Sequence, residues 1–199
     1  NVTGVQTCAL PISKVTAIDP ADGSAQSLIA ARYIDMCRNT LLEMHNWSFA
    51  TKRVDLTEDE DSETDAWPYC YELPSDFLKV QTLLAEGDTD TSTLIQDTDY
   101  TIEQNTDGNL RLWVNTEVVV LVYTSYDTNV GRFSPMFIEA LTWQLASAMA
   151  GTLLKGDAGA AEAKRCNQMA AWWAGKAAGS DGYTRKVAQS HEPSWDANR

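Results

Sequence analysis

The sequence predicts an α+β fold. Three main helices form a helical layer, a small antiparallel β-region is inserted between helices 1 and 2, and an extended C-terminal tail follows. Three observations predict it. Ser134 to Leu154, SPMFIEALTWQLASAMAGTLL, repeats its apolar residues at helical spacing. Trp67 to Ser125 switches to the alternation and β-branched runs of strands. From about Ala158 to Ala178 the helical period returns in an alanine-rich stretch. The expected division is a leader at 1–13, a helical domain at 14–50 and 133–179, an inserted acidic loop and β-region at 51–132, and a tail at 180–199.

In chain order, Asp19-Pro20-Ala21-Asp22-Gly23-Ser24 is turn chemistry, and Ser24 is the expected cap of the first helix, Ala25 to about His45. Leu28, Ala31, Ile34, Cys37 or Arg38, Leu41, Leu42 and Met44 form its apolar stripe; Arg32, Asp35, Arg38, Asn39 and Glu43 form the wet face. Trp47 and Phe49 are expected to fold back onto the core. Thr51 to Leu56 reads as a short strand. Asp55 to Asp65 then carries seven carboxylates and no Lys or Arg. Charges at that density repel, so the run reads as a solvated loop. It lacks the glycine and the closing glutamate of a helix–loop–helix calcium site.

Tyr69, Tyr71 and Leu73 alternate with Cys70 and Glu72 until Pro74 ends the run. Phe77 to Leu84, Tyr100 to Glu103 and Leu110 to Val114 read as further strands, with a hairpin turn at Asp107-Gly108 and a polar loop at Glu86 to Thr93. Val118 to Tyr123, VVVLVY, is unbroken apolar sequence and belongs at the centre of a sheet.

Ser134 and Pro135 then open the second helix as cap and first residue. Phe137, Leu141, Leu145 and Ala148 form its stripe, broadened by Met136, Ala140, Trp143, Met149 and Leu153; Glu139 is its one charged residue. A helix so apolar is expected to be buried on most sides. Lys155-Gly156-Asp157 breaks the chain before the third helix, whose larger apolar residues are Cys166, Met169, Trp172 and Trp173, and Gly179 to Gly182 is expected to stop it. Tyr183 to Arg199 has no period and little to bury beyond Val187 and Trp195, which is the composition of a segment disordered on its own.

A net charge of −13 argues against a partner held by its phosphate backbone. It is compatible with a bore whose acid repels DNA and lets it slide. Cys8, Cys37, Cys70 and Cys166 have neither disulfide-framework nor zinc spacing and read as reduced thiols. No apolar run reaches a membrane-spanning length. Neither a nucleophile elbow, a phosphate-binding loop nor a metalloprotease motif occurs. His45, at a helix C-terminus, is placed to complement the dipole, and His191 lies in the tail. Asn46-Trp47-Ser48 fits a glycosylation sequon that needs a secreted context. No cofactor or metal is expected. Two functional alternatives stay open. One is peptidoglycan cleavage by acidic pairs such as Asp97 and Asp99 or Asp88 and Asp90. The other is a ligand held among Trp67, Tyr69, Tyr71 and Trp113, although their strand spacing is also that of a core.

Val2 to Ile12, VTGVQTCALPI, resembles a translated sequencing-library adapter and is set aside from fold reasoning. From about Lys14 to Arg199 the order of parts resembles the head-to-tail adaptors of short-tailed bacteriophages, the tail tubular protein A and tail accessory factor family. The residues that carry it are Trp47, Phe49 and Ala50; Tyr69, Tyr71, Leu73, Pro74, Asp76 and Val80; and Tyr123, Asp127, Phe133, Pro135, Phe137, Ala140, Leu141, Leu145 and Ala146. The resemblance implies a non-enzymatic virion protein, found in the host cytoplasm during assembly. Its copies would form a ring, dodecameric in the family, between the portal protein and the tail tube or nozzle protein. DNA would pass through without sequence-specific binding, and no membrane would be involved. Tyr183, Arg185, Lys186, Trp195 and Arg199 would belong to a docking arm. The apolar surface of the helical layer adds Trp143, Trp172 and Trp173 as expected contacts to the portal or a neighbouring subunit.

Overall fold

The computed structural model describes residues 17–18, 21–59, 67–84, 100–105, 108–115, 117–118, 120–126, 129–154 and 156–183. They build an α+β fold with three long helices and two small antiparallel sheets. The helices are α1 (Ala25–Met44), α2 (Pro135–Leu153) and α3 (Asp157–Gly182). The strands, all between α1 and α2, are β1 (Thr51–Asp55), β2 (Tyr69–Glu72), β3 (Phe77–Leu84), β4 (Tyr100–Gln104), β5 (Leu110–Val114) and β6 (Val120–Ser125). Two compact units result: a helical unit, 1–40 with 135–174, and a strand-bearing unit, 41–134 with 175–199.

In the helical unit, α1 starts as its sequence requires. The Ser24 hydroxyl accepts the Ser27 N–H at 3.2 Å, an N-cap bond, and Asp22 accepts the Ser24 N–H at 2.9 Å. The buried face matches the expected stripe at Cys37, Leu41 and Leu42 and differs from it nearer the start of the helix. Ser27, Ala30, Cys37 and Arg38 are buried on it, while Leu28 is exposed. Small residues let this face pack closely. Arg38, which the sequence offered both to the stripe and to the wet face, is buried beside Asp35 at 3.0 Å and Asn39 at 3.3 Å.

The last turn of α1 belongs to the strand-bearing unit, and its orphan carbonyls are satisfied by side chains. Trp47 Nε1 donates to the Leu41 carbonyl at 2.8 Å, and Lys79 Nζ donates to that of Glu43 at 2.8 Å. Trp47 is thereby buried as expected, stacked on Phe49, which in turn meets Phe133. Met44, expected on the apolar stripe, is exposed.

The sheets have orders β1-β6-β3 and β2-β5-β4. β6 is central, but the strand is Val120–Ser125 rather than the expected 118–123. Val118 is held off the ladder because its N–H donates to the Tyr71 hydroxyl at 3.1 Å. Tyr71, Leu73 and Leu83 share one buried cluster with Leu112, Val114, Val118, Leu121 and Tyr123, so both sheets contribute to a single core. Thr124 and Ser125, polar and buried, are paired: Gln81 Nε2 donates to Thr124 Oγ1 at 2.9 Å, and Ser125 Oγ donates to the Ala50 carbonyl at 3.1 Å. Gly108 takes φ +86° in the β4–β5 turn, a conformation open to glycine; Asp107 lies outside the described residues.

The acidic run is less detached than its charge suggests. Asp55 ends β1, Glu58 bridges to Tyr71, the Asp59 N–H donates to the Cys70 carbonyl at 2.8 Å, and the Asp59 carboxylate meets Arg111. The rest of that run, the polar loop at Glu86 to Thr93 and the 1–13 leader lie outside the described residues.

Candidate interaction surface

α2 and α3 form a helical hairpin in the helical unit. Gly156, at φ +70°, turns the chain, and a Cβ on Gly159 would overlap the Leu154 carbonyl. Ser147 Oγ donates to the Ala163 carbonyl at 2.9 Å, tying the helices together. The Arg165 guanidinium lies 5.2 Å from the centroid of the Trp143 ring and is held by Glu162, whose carboxylate accepts from Nε at 2.9 Å and Nη2 at 2.5 Å. The arginine keeps the Glu162 carboxyl below its ordinary range. The buried Cys166 thiol donates to the same carboxylate, and burial first, then this bond, raises its pKa.

The apolar α2 was expected to be buried on most sides, and within one chain it is not. Phe137, Ala140, Leu141 and Ala150 are buried. Ile138 remains 38% exposed and Leu153 44%, and Leu145 and Met149 are half-buried. At about 100° per residue, Ile138, Thr142, Leu145, Met149 and Leu153 share one face about 22 Å long. Thr142 is its polar member, and its hydroxyl donates back to the Ile138 carbonyl at 2.8 Å. What Thr142 offers outward is therefore chiefly a methyl group. A face with no charge and no unspent donor suits another apolar surface.

The expected contact residues separate into three groups. Trp172 is 52% exposed and meets Trp173 edge-on with centroids 4.9 Å apart, so it is a ready anchor; Trp173 is half-buried. Trp143 is half-buried under Arg165. Arg185, Lys186, Trp195 and Arg199 lie outside the described residues, whereas Tyr183 is 92% exposed. Sequence reading did not single out the Ile138-to-Leu153 face as separate from the rest of α2. The signal available was its unbroken spacing, but which side of an all-round apolar helix stays open depends on where α3 packs.

In the strand-bearing unit, α3 continues past the expected Ala178 and Gly179 and stops at Gly182, the far end of the expected stop. Asp181 accounts for this. Its carboxylate accepts the Ser48 N–H at 2.9 Å and the Ser48 hydroxyl at 2.6 Å, and His45 Nε2 lies 3.5 Å away. The final turn is thus clamped at its side chain, just before Tyr183. His45, read from sequence as a dipole partner, serves this clamp and packs edge-on against Trp47.

Tyr71 is buried in the core and Tyr69 packs against it. Asp88, Asp90, Asp97 and Asp99 lie outside the described residues. A groove of about 480 Å³ is lined by Asp55, Glu58, Asp59 and Glu72 among apolar neighbours, with Asp59 already engaged by Arg111. Among the described residues no cluster of three or more His, Cys, Asp or Glu could hold a metal ion, and no helix is long and apolar enough to cross a membrane. Neither a family model nor a curated protein matches the chain.

Proposed function

We propose that this chain is a structural subunit of a phage virion: a head-to-tail adaptor whose copies form a ring under the portal protein. The ring carries the tail tube or nozzle protein and continues the DNA channel. The observation that carries the reading is the open apolar surface of the helical unit, Ile138 and Leu153 on α2 and Trp172 on α3. Subunits of a ring each meet two neighbours, which gives such surface something to face. The order of helices, strands and C-terminal segment supports the same reading by its resemblance to the adaptor family. The acid of the chain suits a channel wall, since it repels DNA phosphates instead of binding them. In this reading residues from Tyr183 onward reach the portal or a neighbour from a fixed point of departure at Asp181. The protein is non-enzymatic, and no cofactor is required.

The test is to mix the purified chain with its cognate portal protein and image the product by electron microscopy. A ring of added density on one face of the portal is expected. Portal particles left bare at saturating chain would refute the proposal.

A further inference from the structure

One groove of the strand-bearing unit mixes carboxylates with apolar side chains. It holds about 480 Å³ and is lined by Asp55, Glu58, Asp59 and Glu72 together with Val54, Leu56, Leu73 and Pro74. Among the described residues that line it there is no Lys or Arg, and Arg111 meets it through Asp59. A lysine or arginine side chain has both halves that such a groove asks for, an apolar stem and a cationic head. We propose that residues 184–191 of the same chain, TRKVAQSH, lie in this groove in the free protein. Arg185 and Lys186 stand among the carboxylates, and Val187 lies against Val54 and Leu73.

Reach, composition and tethering favour this occupant. The segment departs from a point fixed within the same unit, because Asp181 accepts the N–H and the hydroxyl of Ser48. Ser48 opens the short turn that leads straight into β1, and Val54 of β1 already lines the groove. Ser48 to Val54 is at most about 16 Å along one 3-10 turn and part of a strand. About five extended residues cover that distance. The other long stretches outside the described residues suit the groove less. Residues 60–66 bring four carboxylates and no base, 85–99 bring five and no base, and 1–16 bring Lys14 alone. Like charge keeps the first two out. Residues 184–191 bring two adjacent cations and no carboxylate. So short a tether sets an effective concentration in the millimolar range, so the segment meets its own groove ahead of one on another dilute chain. The contact is made at the surface between opposite charges and must loosen with salt. An arm that is to reach the portal has first to leave this groove.

An equimolar mixture of heavy-isotope-labelled and unlabelled full chain is treated with a carbodiimide, which joins amines to carboxylates in direct contact, and the products are mapped by mass spectrometry. Lys186 is expected to join Asp55, Glu58 or Glu72 within chains of one label, with the Lys52–Asp76 ion pair as the internal reference. Raising NaCl from about 50 to about 500 mM should lower the Lys186 yield at least about threefold against that reference. In Arg185→Glu/Lys186→Glu, hydrogen exchange at residues 54–59 should quicken by about threefold or more, and its melting temperature shows that the fold is kept. Four results would overturn the proposal: Lys186 joined to no groove carboxylate, joined only between chains of different label, joined equally at both salts, or exchange unchanged in the folded double variant. The chain is alone in every measurement, so this contact and the adaptor reading can fail separately.

Discussion

The two units of this chain solve the same problem to different degrees. In the strand-bearing unit, side chains from both sheets close a core around Tyr71, Leu112 and Leu121, and even its buried hydroxyls are paired. In the helical unit, α2 buries Phe137 and Leu141 toward one end but leaves Ile138 and Leu153 in water. The charge follows the same division, with the net −13 carried by residues 51–132. The difference teaches that apolar content alone does not say where a core is. A unit that hides its apolar surface can carry charge outward, and one that cannot has surface left for a partner.

The contrast should show first in stability. Leu121→Ala or Phe137→Ala removes a fully buried side chain and is expected to cost about 2–5 kcal/mol, read by urea unfolding. Asp76→Asn comes next, at about 1–2 kcal/mol. Its carboxylate accepts from Lys52 at 2.5 Å and from Tyr123 at 2.9 Å, joining β1, the β2–β3 turn and β6. Burial pushes the Asp76 carboxyl up, but the two hydrogen bonds and the lysine charge outweigh it and leave the group below its ordinary value of 3.8. The folded state therefore binds this proton less readily than the unfolded chain. Its contribution is present above pH 3.8 and fades as pH falls through the lower folded value. Melting curves across that acid range should be flatter for Asp76→Asn than for the wild type. Tyr123, raised by burial and then by the carboxylate beside it, stays protonated throughout.

A smaller effect is expected at the α2–α3 turn. Gly156→Ala puts a side chain at φ +70° and should cost about 1 kcal/mol, measured as a lowered melting temperature. The smallest belongs to the open surface. Trp172→Ala should change stability by less than about 0.5 kcal/mol, while reducing assembly on the portal in a pull-down. A loss of several kcal/mol there would mean that Trp172 is core after all, and the contrast between the units would disappear.

Much of this fold was legible in the sequence, because local rules decide it. Ser24 caps α1 as its hydroxyl allows, and β3 and β5 begin and end where alternation and turn residues place them. Where the reading slipped, a contact distant in sequence had intervened. Tyr71 draws Val118 off the ladder of β6, and Ser48 holds α3 through Asp181 past Gly179 as far as Gly182. Arg38 was left between the stripe and the wet face because spacing alone does not show that small neighbours make its side of α1 the packed one. The open face of α2 was hidden for the opposite reason: the whole helix is apolar, so no polar side marks what is left uncovered.

Oxidative footprinting of Met149 and Trp172 in the dilute chain, and again on the portal, tests the central claim most directly. If the helical unit's apolar surface awaits a partner, both side chains should oxidise readily in the dilute chain and become protected on assembly, while peptides around Leu121 stay protected in both. Equal protection of Met149 and Trp172 in the dilute chain would contradict it, because no uncovered surface would remain for a partner to claim.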